Sequence, residues 1–143
     1  MSHNSTSAFL AKCNLKFVAF AAFAFMSLNS AVAYEPDRAR VNFAHEMAEC
    51  AAYFMFVSAA PELDAPIVSG LRDRFNLLME FSATLSTPEL AAARAQLAGK
   101  TIAREMQGSW ENMSIINNKY GYTCIDIVAN PEVRMQYWLD KTD

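Results

Sequence analysis

The chain has 143 residues, with twelve Lys and Arg against fifteen Asp and Glu, which gives a net charge of −3 at pH 7. The cations are scattered along the chain. Because contacts to phosphates require clustered Lys and Arg, composition and charge exclude a nucleic-acid-binding protein.

The first 33 residues have the three parts of a secretory signal peptide. Lys12 and Lys16 form a positive region, Phe17–Met26 is apolar, and Ala31-Val32-Ala33 supplies the small residues of a cleavage site. We therefore predict cleavage after residue 33 and a mature chain that begins at Tyr34.

The predicted organisation is a signal peptide over 1–33 and a single helical domain over 34–143. The mature domain keeps ten Lys and Arg against fifteen Asp and Glu, a net charge of −5. The alternative is an uncleaved membrane anchor. Asn29 and Ser30 interrupt the apolar run, which is also shorter than the roughly 20 residues that span a bilayer. We expect an exported protein, periplasmic or extracellular, that does not associate with a membrane after cleavage.

Two long segments of the mature chain have the apolar periodicity of amphipathic helices. The first predicts a helix over 37–59 and the second a helix over 65–85. The apolar stripe of the first consists of Phe43, Met47, Cys50, Phe54 and Val57, and that of the second of Ile67, Leu71, Phe75, Leu78 and Leu85.

A third apolar pattern extends from Leu90 to Ile127 and includes Leu97, Ile102 and Met106. A single helix over 88–129 would be about 63 Å long, too long for a small domain. We place a break or kink at 118–121, because Asn117-Asn118 and Gly121 favour a turn or a left-handed cap.

The resulting prediction is a third helix over 88–117, followed by short helices over 121–129 and 131–140. Thr87-Pro88 and Asn130-Pro131 are good helix starts, because Thr and Asn cap the N-terminus and proline suits the first turn. The fold class is all-α, a small up-and-down bundle with three long helices and short C-terminal helices.

Cys50 and Cys124 are the cysteines that remain after the predicted cleavage removes Cys13. Both lie on apolar helix stripes. In an exported protein, an even number of cysteines normally forms disulfides. We predict one interhelical disulfide, Cys50–Cys124. Two buried free thiols are the alternative.

His45 is the only histidine of the mature chain, which excludes zinc sites and di-iron sites that need several histidines. His45 and Glu49 are spaced i,i+4 and so could both face a metal ion, or could form an ordinary exposed pair. The six remaining methionines could bind copper(I), but their spread over several helices favours core packing. We assign no catalytic residue, no cofactor and no metal ligand.

Aromatic residues are frequent in the last third of the chain, where they could form a recognition surface or complete the core. They are Trp110, Tyr120, Tyr122, Tyr137 and Trp138.

The absence of a catalytic motif predicts a non-enzymatic interaction or binding module with an unknown protein partner. One alternative is a carrier of a small apolar ligand in the bundle interior, which the abundance of Phe, Met and Ala allows. Another is an enzyme that uses His45 with a carboxylate.

Overall fold

The structure is a computed structural model that describes residues 35–141. The predicted signal peptide and its cleavage site before Tyr34 lie outside the described residues. Within 35–141 the chain is helical and contains no strand, so the all-α prediction is confirmed. No helix in this range combines the length and the apolarity that crossing a membrane requires. The α-helices are α1 Pro36–Val57, α2 Ala65–Leu85, α3 Pro88–Glu105, α4 Met113–Ile116, α5 Tyr122–Ala129 and α6 Pro131–Asp140.

Proline occupies the first turn of α1, α2, α3 and α6. Proline has no N–H, and this costs nothing there because N–H groups of the first turn have no partner within the helix. Thr87 caps α3 as predicted, since its side chain accepts a hydrogen bond from the Leu90 N–H at 3.2 Å. Asn130 precedes α6, but its side chain does not cap that helix and donates instead to Asp126 Oδ1. The predicted bounds of the second helix and of the last one agree with the structure.

Helix α1 is the centre of the bundle and contacts α2, α3, α5 and α6. Its predicted stripe is buried at Phe43, Met47, Cys50 and Phe54, and the alanines beside that stripe are buried as well. Because apolar and small residues surround the helix, neighbouring helices can pack on more than one of its sides.

The predicted end of the third helix at residue 117 is wrong, because this helix ends earlier. The predicted interruption at 118–121 does occur, as a π-helical turn. Helix α3 stops at Glu105, and the chain turns at Gln107 and Gly108, which have φ angles of 52° and 72°. Glycine adopts this left-handed conformation without steric penalty. The Asn112 side-chain amide donates to the Met106 carbonyl at 3.0 Å and satisfies the exposed helix end. A short 3₁₀ turn, Trp110–Asn112, leads into α4.

At the predicted break the chain continues as a π-helical turn, Asn117–Gly121, which joins α4 to α5. Gly121 has ordinary helical backbone angles. A Cβ atom there would lie 3.3 Å from the Tyr53 hydroxyl, a tight contact. The glycine therefore allows close approach to α1 and does not form a turn.

The predicted core positions Leu90 and Leu97 of α3 are also wrong, since they are 41% and 61% exposed. Ile102 of the same predicted pattern is buried, as expected, and α3 buries Ala91 and Ala98 beside it in place of the two leucines. These positions lie on a different face of the helix. Small side chains there let α3 approach α1 closely, and the leucines are left at the surface.

Candidate functional site

Helix α1 is covalently linked to α5 through the predicted cysteine pair. The Sγ atoms of Cys50 and Cys124 are 2.07 Å apart and their Cα atoms 5.1 Å apart, at disulfide-bonding distance. Both cysteines are almost fully buried. Because neither sulfur atom is accessible to an external thiol, this bond is structural.

A charged cluster joins α1 to α6. Arg134 Nε donates to Glu46 Oε2 at 2.9 Å and Arg134 Nη2 donates to Glu46 Oε1, so the pair is bidentate. Trp138 Nε1 also donates to Glu46 Oε2, at 2.8 Å. The hydrogen bonds that Arg134 donates to the Glu46 carboxylate raise the pKa of Arg134 above its ordinary value. This cluster anchors the C-terminal helix to α1.

The Glu46 cluster was not predicted from the sequence. Arg134 and Trp138 lie 88 and 92 residues after Glu46 along the chain. No local pattern identifies such a pair, because scattered charges on a helix are usually solvated. Only the fold brings these residues together.

His45 and Glu49 form an i,i+4 pair near the surface of α1. His45 Nε2 lies 3.5 Å from Glu49 Oε1, and the two side chains are 45% and 39% exposed. Over residues 35–141, no group of three or more His, Cys, Asp or Glu side chains is placed to hold a metal ion. The geometry is that of a surface pair on one helix face.

A small polar cleft of about 180 Å³ opens beside the disulfide. Its charged groups already have partners: Glu46 pairs with Arg134, Glu49 with His45, and Lys119 with Glu105 outside the cleft. Because the charged side chains of this cleft pair with other residues of the protein, they are explained by the fold and leave few charged groups for a ligand to bind.

Tyr53 connects α1 to the π-helical turn. Its hydroxyl donates to Asn117 Oδ1 at 3.1 Å, and its ring stacks against Tyr120 with centroids 6.2 Å apart. Burial raises the pKa of the Tyr53 phenol above its ordinary value. The disulfide, the Glu46 cluster and Tyr53 therefore hold the same side of α1 to the C-terminal helices.

The aromatic residues of the last third of the chain, for which the sequence allows either a recognition surface or core packing, have several locations. Trp110 packs on Phe56 of α1 with ring centroids 5.4 Å apart. Tyr120 and Trp138 pack against the core, whereas Tyr122 is 86% exposed and Tyr137 about half exposed. The structure thus uses part of this group in packing and leaves part of it at the surface.

An apolar groove opens on the other side of α1, between α2 and α3, with a volume of about 530 Å³. The C-terminal half of α1 forms its floor, α2 one wall and α3 the other. The floor residues are Ala52, Met55, Phe56, Ser58 and Ala59, and the wall residues are Arg72, Phe75, Met79, Ala92, Ala95, Gln96 and Gly99.

The groove is open because short side chains line the α3 wall. Ala92, Ala95 and Gly99 recur at steps of three and four residues, so they lie on one helix face. A Cβ atom at Gly99 would have no atom within 4 Å. Pockets for small ligands in proteins usually measure about 300–1,000 Å³ and are mostly apolar, which this groove resembles in size and lining.

Few polar groups reach the groove. The Ser58 hydroxyl donates to the Met55 carbonyl at 2.7 Å, so it is already satisfied. Among the described residues, Arg72 is the one charged residue that lines the groove, and no carboxylate lines it. Over residues 35–141, the ion pairs involve other residues and leave the Arg72 guanidinium unpaired.

Sequence reasoning missed this groove. Met79 and Phe75 were assigned to the core, and the alanines of α3 carried no separate signal. The pattern that identifies the α3 wall is a stripe of small residues opposite long ones, and its meaning is clear once the fold places α2 and α3 on either side of the groove.

Comparison with known proteins found no family model that matches the chain, no similar curated protein and no similar solved structure.

Proposed function

We propose that this is an exported, non-enzymatic binding protein that holds an apolar guest in the groove between α2 and α3. The observation that carries the proposal is the open groove itself, whose lining is almost entirely apolar. Water in such a groove makes few hydrogen bonds, so its displacement by an apolar guest is favourable.

The groove, and not the bundle interior, is the site in this proposal. The interior is filled by large side chains that are almost completely buried, among them Phe54, Met47 and Ile102. An interior guest would have to displace these side chains, at a cost of about 1–3 kcal/mol or more for overpacking. A guest in the surface groove displaces only solvent.

Binding of a neutral, environment-sensitive dye, N-phenyl-1-naphthylamine, tests the proposal. The protein expressed from the full-length chain is expected to enhance the dye's fluorescence with a saturable curve. Gly99→Leu places a side chain in the groove and should abolish this binding. Gly70→Leu is the matched control, because Gly70 is a helical glycine of α2 outside the groove lining with equally free space.

Two results would contradict the groove proposal. One is a wild-type protein that leaves the dye's fluorescence unchanged. The other is dye binding that Gly99→Leu and Gly70→Leu reduce equally, since this would place the dye elsewhere.

Recognition of a protein partner is the second candidate function, supported by exposed apolar residues on α4, α5 and α6. Ile115, Tyr122, Ile125, Val133 and Tyr137 are between 46% and 86% exposed. If a partner binds there, affinity capture from the exporting cell should recover one protein with wild type and with Gly99→Leu. Tyr122→Ala should lose it. Capture lost with Gly99→Leu but kept with Tyr122→Ala would exclude this face.

Export is part of the proposal and rests on the N-terminal pattern together with the buried cysteine pair, which is typical of an oxidising compartment. Expression of the full-length chain in a secreting host, followed by N-terminal sequencing, should give a chain that begins at Tyr34. Recovery of an unprocessed chain from the cytoplasm would contradict export.

A further inference from the structure

The charge distribution around the groove narrows the class of guest. This inference rests on the proposed function, because it concerns the same groove. We infer that the guest is a single-chain amphiphile with an anionic head group, whose chain lies in the groove and whose head group binds the Arg72 guanidinium.

Arg72 lies at one end of the α2 wall. Arg72, Phe75 and Met79 are spaced three and four residues apart, so they form one row along the helix, with the cation before the two apolar side chains. A ligand that follows this row meets a charged group at one end and the apolar side chains of Phe75 and Met79 beyond it. This order of contacts, a charged group followed by apolar surface, matches an amphiphile with a charged head group and one hydrocarbon chain.

The cation is available to a ligand. Arg134 is engaged by Glu46 and Lys119 by Glu105, and Arg94 donates to the Val41 carbonyl. Arg72 is exposed and forms no ion pair within residues 35–141. A guanidinium can form a bidentate pair with a carboxylate or a phosphate, and such charge-assisted bonds are stronger than neutral ones.

The opposite charge is disfavoured by the same lining. Within residues 35–141, no acidic side chain lines the groove. The Arg72 charge would therefore repel a cationic head group, and no carboxylate would offset that repulsion. The volume of about 530 Å³ also fits a single small molecule. Two turns of a partner's helix, about 10 Å wide and about 11 Å long, would occupy more space than the groove offers.

Three amphiphiles with the same twelve-carbon chain test the head-group preference: dodecanoate, dodecanol and dodecyltrimethylammonium, each below its micelle concentration. The readout is displacement of N-phenyl-1-naphthylamine from the protein expressed from the full-length chain. Dodecanoate is expected to bind about tenfold more tightly than dodecanol, and the ammonium compound more weakly than both. Added salt should weaken dodecanoate binding and leave dodecanol binding unchanged.

Arg72→Gln should lower the affinity for dodecanoate to that of dodecanol, about tenfold, and leave dodecanol affinity as it is. Arg72→Lys should restore part of the loss. Arg74→Gln is the matched control, since Arg74 is the neighbouring exposed arginine of α2 and lies over the Phe54 ring, outside the groove lining. It should leave all three affinities unchanged.

The outcomes separate the two proposals. Equal affinities of wild type and Arg72→Gln for dodecanoate, with dodecanol still bound, would overturn the head-group assignment and leave the apolar groove in place. Failure of the dye and of all three amphiphiles to bind would overturn the proposed function itself. Tight binding of the ammonium compound would overturn the charge argument.

Discussion

The two sides of α1 are held to their neighbours in different ways. Toward α5 and α6, the helix has a disulfide, a bidentate ion pair and the Tyr53 hydrogen bond. Toward α2 and α3, side-chain hydrogen bonds reach the N-terminal half of α1, among them those from Ser82 Oγ to the Ala44 carbonyl at 2.7 Å and from Arg94 Nη1 to the Val41 carbonyl at 3.3 Å. The C-terminal half of α1 on this side is the floor of the groove.

This difference indicates a division of roles within a small bundle. A disulfide and an ion pair fix the C-terminal helices. Apolar packing and hydrogen bonds to the N-terminal half of α1 hold α2 and α3, and a space is left between these two helices. A binding groove benefits from a floor on a helix that is rigidly anchored elsewhere. Variants on the anchored side should therefore change stability, and variants in the groove should change binding.

Removal of the disulfide should have the largest effect. Cys50→Ala with Cys124→Ala opens a loop of 74 residues, for which the chain-entropy model gives a loss of about 4 kcal/mol in the free energy of unfolding. Urea denaturation followed by circular dichroism measures this loss. Wild-type protein kept in a reductant is the control and should unfold at a similar urea concentration. An unchanged midpoint in the double variant would show that the disulfide does not stabilise the bundle.

Loss of the Glu46 carboxylate should have the next largest effect. Glu46→Ala removes the acceptor of the Arg134 pair and of the Trp138 indole, and the Glu46 side chain is only 13% exposed. Hydrogen bonds to charged groups contribute about 2 kcal/mol, so we expect a loss of that size. The release of α6 should also shift Trp138 fluorescence to longer wavelength, whereas Trp110 stays on Phe56.

Glu80→Ala is the control for this prediction. Glu80 is an exposed residue of α2 and forms no ion pair within the described range. The substitution should change stability by less than about 0.5 kcal/mol. Equal losses for Glu46→Ala and Glu80→Ala would mean that the cluster adds nothing to the anchoring of α6.

The sequence predicted the anchored side better than the groove side. Periodicity placed the α1 residues Phe43 and Met47 in the core, because the apolar stripe of an amphipathic helix packs against the core. Two cysteines on such stripes allow one pairing, so the disulfide followed from the number of cysteines and from the predicted export. These predictions depend on local helical periodicity and on the number of cysteines.

The errors arose where tertiary contacts decide the structure. Leu97 fits the periodic pattern, yet α3 turns its alanines toward α1, since small residues allow a closer approach. Gly108 marks the real end of α3 by its positive φ, whereas Gly121 is a glycine because Tyr53 lies against it. The same residue type has a conformational role at one position and a steric role at the other. A single sequence does not distinguish the two roles.

Tyr53 offers a smaller test of the anchored side, with a pH dependence. Tyr53→Phe removes the hydrogen bond to Asn117 and should lower the free energy of unfolding by about 1 kcal/mol at neutral pH. Because burial raises the pKa of the Tyr53 phenol above 10.0, the folded protein holds this proton more tightly than the unfolded chain. The resulting stabilisation is present below pH 10 and is lost as the pH rises through the folded-state pKa.

The measurement is denaturant stability of wild type and Tyr53→Phe at several pH values from 7 to above 10. Wild type should lose more stability than Tyr53→Phe at the alkaline end, so that the two curves converge. Tyr122→Phe is the control, because the Tyr122 side chain is 86% exposed and the substitution should leave the pH profile as in wild type. Parallel curves for wild type and Tyr53→Phe would contradict the role of burial.

A pair of glycine substitutions tests the groove side with the smallest expected change in stability. Gly70→Ala and Gly99→Ala each replace a helical glycine where a Cβ atom has no neighbour within 4 Å. Both should stabilise the protein by about 0.5–1 kcal/mol, since alanine favours the helix and no contact opposes the added methyl group. Only Gly99 lines the groove. Gly99→Ala should therefore weaken dye binding, and Gly70→Ala should leave it unchanged. Thermal denaturation should show the same increase in stability for both variants. A destabilised Gly99→Ala would show that α2 and α3 close over this position, and the groove would then be absent from the protein in solution.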